Sequence, residues 1–199
     1  MPDPDAISRH FNASRELIER VAGDRDFLAA IGAIADRLAQ TLRAGGKLLI
    51  AGNGGSAADA QHVAAEFLSR FGFDRNPLPA IALTTDTSVL TAISNDYGYE
   101  RVFERQVRGL GRKGDAFIAI STSGRSPSVI AGLQAAREIG MTTIGFGGAA
   151  GELHALCDLL LTVPSKDTAL IQQIHIVAYH AICGNVEREL FAADVRPKG

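Results

Sequence analysis

Five short apolar runs set the pattern of this chain. They are Lys47–Ala51, Ala80–Thr84, Asp115–Ser121, Thr142–Phe146 and Asp158–Val163, and each reads as a strand buried on both faces. Between them the apolar period lengthens to that of a helix. Helices are predicted over Ser56–Arg70, over Ser88–Leu110 with a break near Asn95, and over Pro127–Gly140, with a shorter one near Leu153–Cys157. Alternating strand and helix calls for a parallel sheet covered on both faces, a three-layer α-β-α sandwich of the flavodoxin-like kind. Two helices, roughly Asp5–Ala22 and Asp24–Arg43, precede the first strand, and a long one, about Thr168–Leu190, follows the last. That is more helix than one small sheet needs. The last helix has an apolar stripe through Leu170, Ile174, Val177 and Ala181, so part of its surface is expected to meet another subunit. No linker or low-complexity stretch divides the chain, which reads as one domain over residues 1–199, with helices in 1–45 and the α/β core and last helix in 46–199.

Composition narrows the function more than the fold. The 199 residues carry a formal net charge of −2, which gives no basic footprint for nucleic acid or an anionic membrane. Two cysteines, Cys157 and Cys183, point to a reduced, cytoplasmic setting. The start MPDPDAISRH has neither the basic end nor the apolar run of a secretory leader, and no apolar stretch reaches membrane-span length.

Chemistry concentrates in two turns. The run GNGGSAADAQHVAAE, Gly52 to Glu66, places a glycine turn after a strand, with Ser56 as the expected N-cap of the helix that follows. A helix amino end reached through glycines favours an anion. Farther along that helix, His62 and Glu66 stand four apart and share a face, as a metal or acid/base pair would. The second turn, Ser121-Thr122-Ser123-Gly124-Arg125-Ser126-Pro127, offers hydroxyls at a strand end, with Ser126 as N-cap and Pro127 at the first helical position. Either turn alone could merely cap a helix. As a pair on one sheet edge they point to a phosphorylated small molecule. The first turn has no Gly-Lys-Ser/Thr and is no Walker loop. It does fit a dinucleotide fingerprint through Gly52, Gly54 and Ala57, but the acidic residue that fingerprint needs would be Asp74, which lies in a loop, so NAD is set aside. The last helix carries Gln172, Gln173, His175, Tyr179 and His180 in an otherwise apolar pattern, and buried polar groups need partners. His175 reads as a core histidine; His10 and His154 read as surface residues.

Four segments, GNGGSAADAQHVAAEF, PLPAIALTTDTSVLTAISNDYGYERVF, GDAFIAISTSGRSPSVI and VPSKDTALIQQIHIVAYHAICGNVE, together resemble the phosphoheptose isomerases of the sugar-isomerase (SIS) fold, in order and across nearly all of the chain from Lys47 to Glu189. The resemblance implies a five-stranded parallel sheet and a homotetramer with sites at subunit interfaces. It implies conversion of sedoheptulose 7-phosphate to D-glycero-D-manno-heptose 7-phosphate through an enediol, the first step toward nucleotide-activated heptose. Substrate binding falls on Asn53, Gly54, Gly55, Ser56, Glu66, Arg70, Asn95, Asp96, Ser121, Thr122, Ser123, Ser126 and Gln172. One zinc ion per subunit falls on His62, Glu66, Gln172 and His180, with Glu66 as base and His180 as the complementary acid. Two departures are visible. The family's usual Arg-Ile-Gln-Glu is Leu170-Ile171-Gln172-Gln173 here, and the Asn that usually follows Ser-Thr-Ser-Gly is Arg125. The same fold also serves as a non-catalytic tetrameric module and as a sugar-phosphate sensor. Retention of His62, Glu66, Gln172 and His180 favours the enzyme.

Overall fold

The computed structural model describes residues 3–191. Two helices, α1 (Pro4–Ala22) and α2 (Arg25–Arg43), lead into an alternating series. That series is β1 (Leu48–Gly52), α3 (Gly55–Leu68), β2 (Ala80–Ala82), α4 (Thr87–Tyr97), α5 (Val102–Leu110), β3 (Ala116–Ser121), α6 (Pro127–Ile139), β4 (Thr142–Gly147), β5 (Leu159–Thr162) and α7 (Thr168–Phe191). The five strands form one parallel sheet in the order β2-β1-β3-β4-β5.

The apolar runs are continuous because successive side chains enter different cores. Leu48 and Ile50 of β1, with Ile118 and Ile120 of β3, face a core built with α2, α3 and α7. Leu49 and Ala51, with Phe117 and Ala119, face a second core against α5 and α6. A strand buried on both faces has few positions for a polar residue, and Thr143 of β4 is kept only with hydrogen bonds to Leu156 and Asp158. This gives the three layers expected from the sequence.

Several boundaries move. The second strand is only Ala80–Ala82, an edge whose Ile81 is 39% exposed. The predicted break near Asn95 falls at Gly98, whose φ of +89° ends α4 before a short 3₁₀ turn leads into α5; that backbone angle is one a glycine adopts without strain. The segment expected to be helical near Leu153–Cys157 is a single 3₁₀ turn, Leu153–Ala155. On α7 the core-facing stripe is Ile171, Ile174, Ala178, Ile182 and Val186. Of the stripe expected from sequence only Ile174 is buried, while Val177 and Ala181 stay exposed. Among the described residues no helix is long and apolar enough to cross a membrane.

Candidate functional site

The sheet order places a crevice between β1 and β3. The chain leaves β1 toward β2 on one side and continues from β3 toward β4 and β5 on the other, so the turns at the carboxyl ends of β1 and β3 diverge and leave space between them. Asn53 joins the two turns. Its Nδ2 donates to Ser126 Oγ at 2.7 Å and to Ser128 Oγ at 3.0 Å, while Tyr99 donates its hydroxyl to Asn53 Oδ1 at 2.7 Å. The Ser121–Ser126 turn is braced from behind by the segment after β4. Gly148 N–H donates to the Thr122 carbonyl at 3.2 Å, and Glu152 N–H to the Gly124 carbonyl at 3.0 Å.

Both helices that start in this crevice start without a side-chain cap. The N-cap of α3 is Gly54, not Ser56 as expected; Ser56 lies inside the first turn and is buried. Ser126 does occupy the N-cap position of α6, but its hydroxyl is turned to Asn53 rather than to the helix backbone. At α3 the N–H groups of Ser56 and Ala57 donate to the carbonyls of Asn53 and Gly54 at 3.0 Å, and α6 begins with Pro127, which has no N–H; both starts still present the positive end of a helix dipole, which favours an anion.

Downstream on α3, His62 and Glu66 meet His180 of α7. His62 Nε2 lies 3.1 Å from Glu66 Oε1 and 3.3 Å from His180 Nε2, and one donor atom from each residue lies within 4.8 Å of the other two. Ligands at about 2.0–2.1 Å from a tetrahedral zinc ion would stand about 3.3 Å from one another, so two imidazoles and a carboxylate at these separations fit the ion's usual donor set. One chain supplies all three groups. Glu66 and His180 need no second subunit to come together.

Buried contacts fix the two helices that carry this cluster. Arg75, whose side chain is 2% exposed, donates to the carbonyls of Glu66 and Phe67 at 2.8 and 2.7 Å, closing the carboxyl end of α3. Its Nε donates to Glu187 of α7 at 3.0 Å, and Glu187 also accepts from the N–H groups of Phe71 and Gly72. Burial works against the Glu187 carboxylate, yet these donors hold it below the usual glutamate range. The same loop lays Phe71 against the His180 ring, centroids 5.5 Å apart.

Gln172, the expected fourth ligand, donates through Nε2 to Asp59 Oδ2 at 3.1 Å. Asp59 is buried; desolvation raises its carboxyl above the usual range, opposed by the Gln172 hydrogen bond and by nearby His62. Gly55 lies under the same amide: a Cβ there would sit 2.4 Å from Gln172 Nε2.

Other expected residues stand apart. Asn95 and Asp96 are exposed near the end of α4, where Asn95 Nδ2 donates to Asp96 Oδ1 at 2.8 Å. Arg70 is exposed just past α3, which ends at Leu68. His175 is fully buried, and burial lowers its pKa to about 4. His10 is exposed, as expected, with its Nε2 3.1 Å from Nε2 of Gln173. Burial pushes both thiols up to about 12, which leaves neither as a nucleophile near neutral pH. Sequence reasoning missed Tyr99, Ser128, Asp59, Phe71, Arg75 and Glu187. For Asp59 a signal existed: a lone acid three residues before His62 in an alanine-rich helix.

Comparison with known proteins agrees with this geometry. The SIS domain family matches residues 9–148. A phosphoheptose isomerase of Roseiflexus sp. is 60% identical over 188 residues, covering 94% of this chain and 92% of that protein. One from Burkholderia pseudomallei is 53% identical over 186 residues, covering 93% and 94%. The solved structure of phosphoheptose isomerase from Neisseria gonorrhoeae superposes with a TM-score of 0.85 at 43% identity, covering 92% of this chain and 97% of that one.

Proposed function

We propose that this chain, which belongs to the phosphoheptose isomerase family of SIS domains, interconverts sedoheptulose 7-phosphate and D-glycero-D-manno-heptose 7-phosphate. One observation carries the reading. α3 begins with no side-chain cap at the crevice it shares with the Ser121–Ser126 turn and, eight residues on from Gly54, bears His62 beside Glu66 and His180. At about 1.5 Å per residue that is about 12 Å of helix axis between the crevice and the cluster.

In this reading the phosphate sits against Ser121, Thr122, Ser123 and Ser126 and the open amino end of α6. Asn53 and the Gly54–Ser56 turn line the other wall of the crevice. Binding there fixes C1 and C2 at the far end of α3 and turns a bimolecular proton transfer into a positioned one. Glu66 takes the proton from C1 and delivers it to C2. His180 exchanges a proton with the sugar oxygens, so that neither oxygen carries full charge in the enediol. Arg70, Asn95 and Asp96 are proposed to contact the sugar. Zinc, held by His62, Glu66 and His180 with Gln172 as fourth donor, would supply Lewis-acid stabilisation of charge on the substrate oxygens.

The whole chain is proposed to act as a single SIS domain, in the cytoplasm and as a homotetramer with one zinc ion per subunit. Support for assembly comes from apolar side chains left open: Phe11 of α1 is 71% exposed, Ile7 56%, Leu28 50% and Val177 52%. An open groove of about 550 Å³ runs between α2 and α7, lined by Leu28, Ile31 and Ala181 among others. The function is tested by assaying isomerisation of sedoheptulose 7-phosphate before and after chelation, with light scattering for subunit number. Activity lost to chelator and restored by zinc is the expected result. A metal-free protein with full activity would remove zinc from the reading, and no turnover by the zinc-loaded protein would sink it entirely. A non-catalytic binding role would show as phosphosugar binding without turnover.

A further inference from the structure

Asp59 is a carboxylate in an unfavourable place. It stands one turn before His62 on α3, is 4% exposed, and finds no lysine or arginine partner among the described residues. A buried acid is tolerated when its lone pairs are used. Here they are used on Gln172, whose Nε2 donates to Asp59 Oδ2 at 3.1 Å across 113 positions of sequence. A carboxylate only accepts, so it fixes which end of the amide faces it. The amino group is drawn inward and the carbonyl oxygen Oε1 is turned away. Gly55 forms the floor, because a Cβ there would lie 2.4 Å from Nε2 and 2.8 Å from Oε1. Tyr179, two turns along α7 from Gln172, brings a buried hydroxyl up beside Asp59 as a second polar neighbour.

We propose that Asp59 is a positioning residue that acts through Gln172, holding the amide so that Oε1 rather than the amino group is presented to the site. The inference rests on the reading of Gln172 as a site residue. An inverted amide would offer a cation or a substrate hydroxyl two N–H donors instead of an acceptor, and a cation would be repelled. Asp59 thus does for Gln172 what a carboxylate behind a ligating histidine does for its ring: it fixes orientation without touching the ligand.

The test uses the full-length, zinc-loaded protein. Zinc retention is measured without turnover by competition with a chromogenic chelator, and kcat and KM are measured separately. Asp59→Ala is expected to weaken retention by about 10–100-fold, the usual effect of losing such an outer partner. Asp59→Asn, whose Oδ1 still accepts from Nε2, should stay within about threefold of the parent. Gly55→Ala drives a methyl into the amide while sparing the carboxylate; it should reproduce the loss and keeps the test open where Asp59→Ala does not fold. In a Gln172→Ala background, Asp59→Ala should add nothing further. Wild-type zinc retention in folded Asp59→Ala, an Asp59→Asn loss as large as that of Asp59→Ala, or an undiminished Asp59→Ala loss without Gln172 would each overturn the proposal. If Gln172→Ala alone changes neither retention nor kinetics, the placing of Gln172 in the site falls, and the role of Asp59 with it.

Discussion

The amino ends of α3 and α6 differ from those of α1, α2, α4 and α7. The latter four are each closed by an aspartate: Asp3, Asp24, Asp86 and Asp167 accept from first-turn N–H groups at 2.9–3.2 Å. The two helices that open into the crevice have no side-chain cap. A cap contributes about 1 kcal/mol, and an acidic one also complements the helix dipole. Aspartate thus closes four helix starts and neither of the two that open into the crevice; α5, which continues directly from a 3₁₀ turn, has no side-chain cap either.

The largest effect expected lies at the other end of α3, where the anion turn hands over to chemistry. Glu66→Gln should lower kcat by about 100-fold or more, the usual size of a lost general base. A near-normal kcat in a folded Glu66→Gln protein would leave the helix with a binding role only. Next is a variant that erases the contrast itself. Ser126→Asp gives α6 the cap its neighbours have, and should raise KM about tenfold or more as the carboxylate competes with phosphate, or about 1.4 kcal/mol of binding. The ligand-free protein should melt no lower than the parent. Unchanged KM would mean that the α6 start does not hold the phosphate.

A third prediction separates the buried histidine of α7 from the reactive one. His175 has its pKa lowered from 6.5 to about 4 by burial, so the unfolded chain binds a proton that the folded chain refuses. Its contribution is present above pH 6.5 and is lost as the pH falls from there toward 4. Thermal melting across that window should fall less steeply in His175→Leu than in the parent, and equal slopes would refute the assignment. The smallest effect is at a capped end: Asp24→Ala should cost about 1 kcal/mol of stability and leave kcat and KM unchanged. Altered kinetics would mean that the capped and open ends are not independent.

The layers of this fold were legible because strands buried on both faces are apolar along most of their length. Lys47–Ala51 and Asp115–Ser121 accordingly read as strands at once. Local signals failed where a backbone angle or a distant partner decided the outcome. Ser56 looked like a cap, but Gly54 begins the helix two residues earlier and leaves Ser56 buried. Gly98, not Asn95, ends α4 because only its positive φ breaks the helix there. The exposed Val177 shows that an apolar stripe on α7 does not say which side faces the sheet. At the candidate site the i, i+4 spacing of His62 and Glu66 was plain, whereas the meeting with His180 takes the whole fold to make. Asp59 is meaningless without Gln172 opposite, and Arg75 without Glu187.

His62 and His180 are 118 positions apart, and α7 follows every strand of the sheet. During synthesis, therefore, all five strands are made before His180, Gln172 or Glu187 emerges. The growing chain can form its sheet early but cannot assemble the three-residue cluster until the last helix docks. An unfinished polypeptide thus lacks the His62–Glu66–His180 cluster, which arrives as a late step, coincident with burial of Ile174, Ile182 and Val186 in the core.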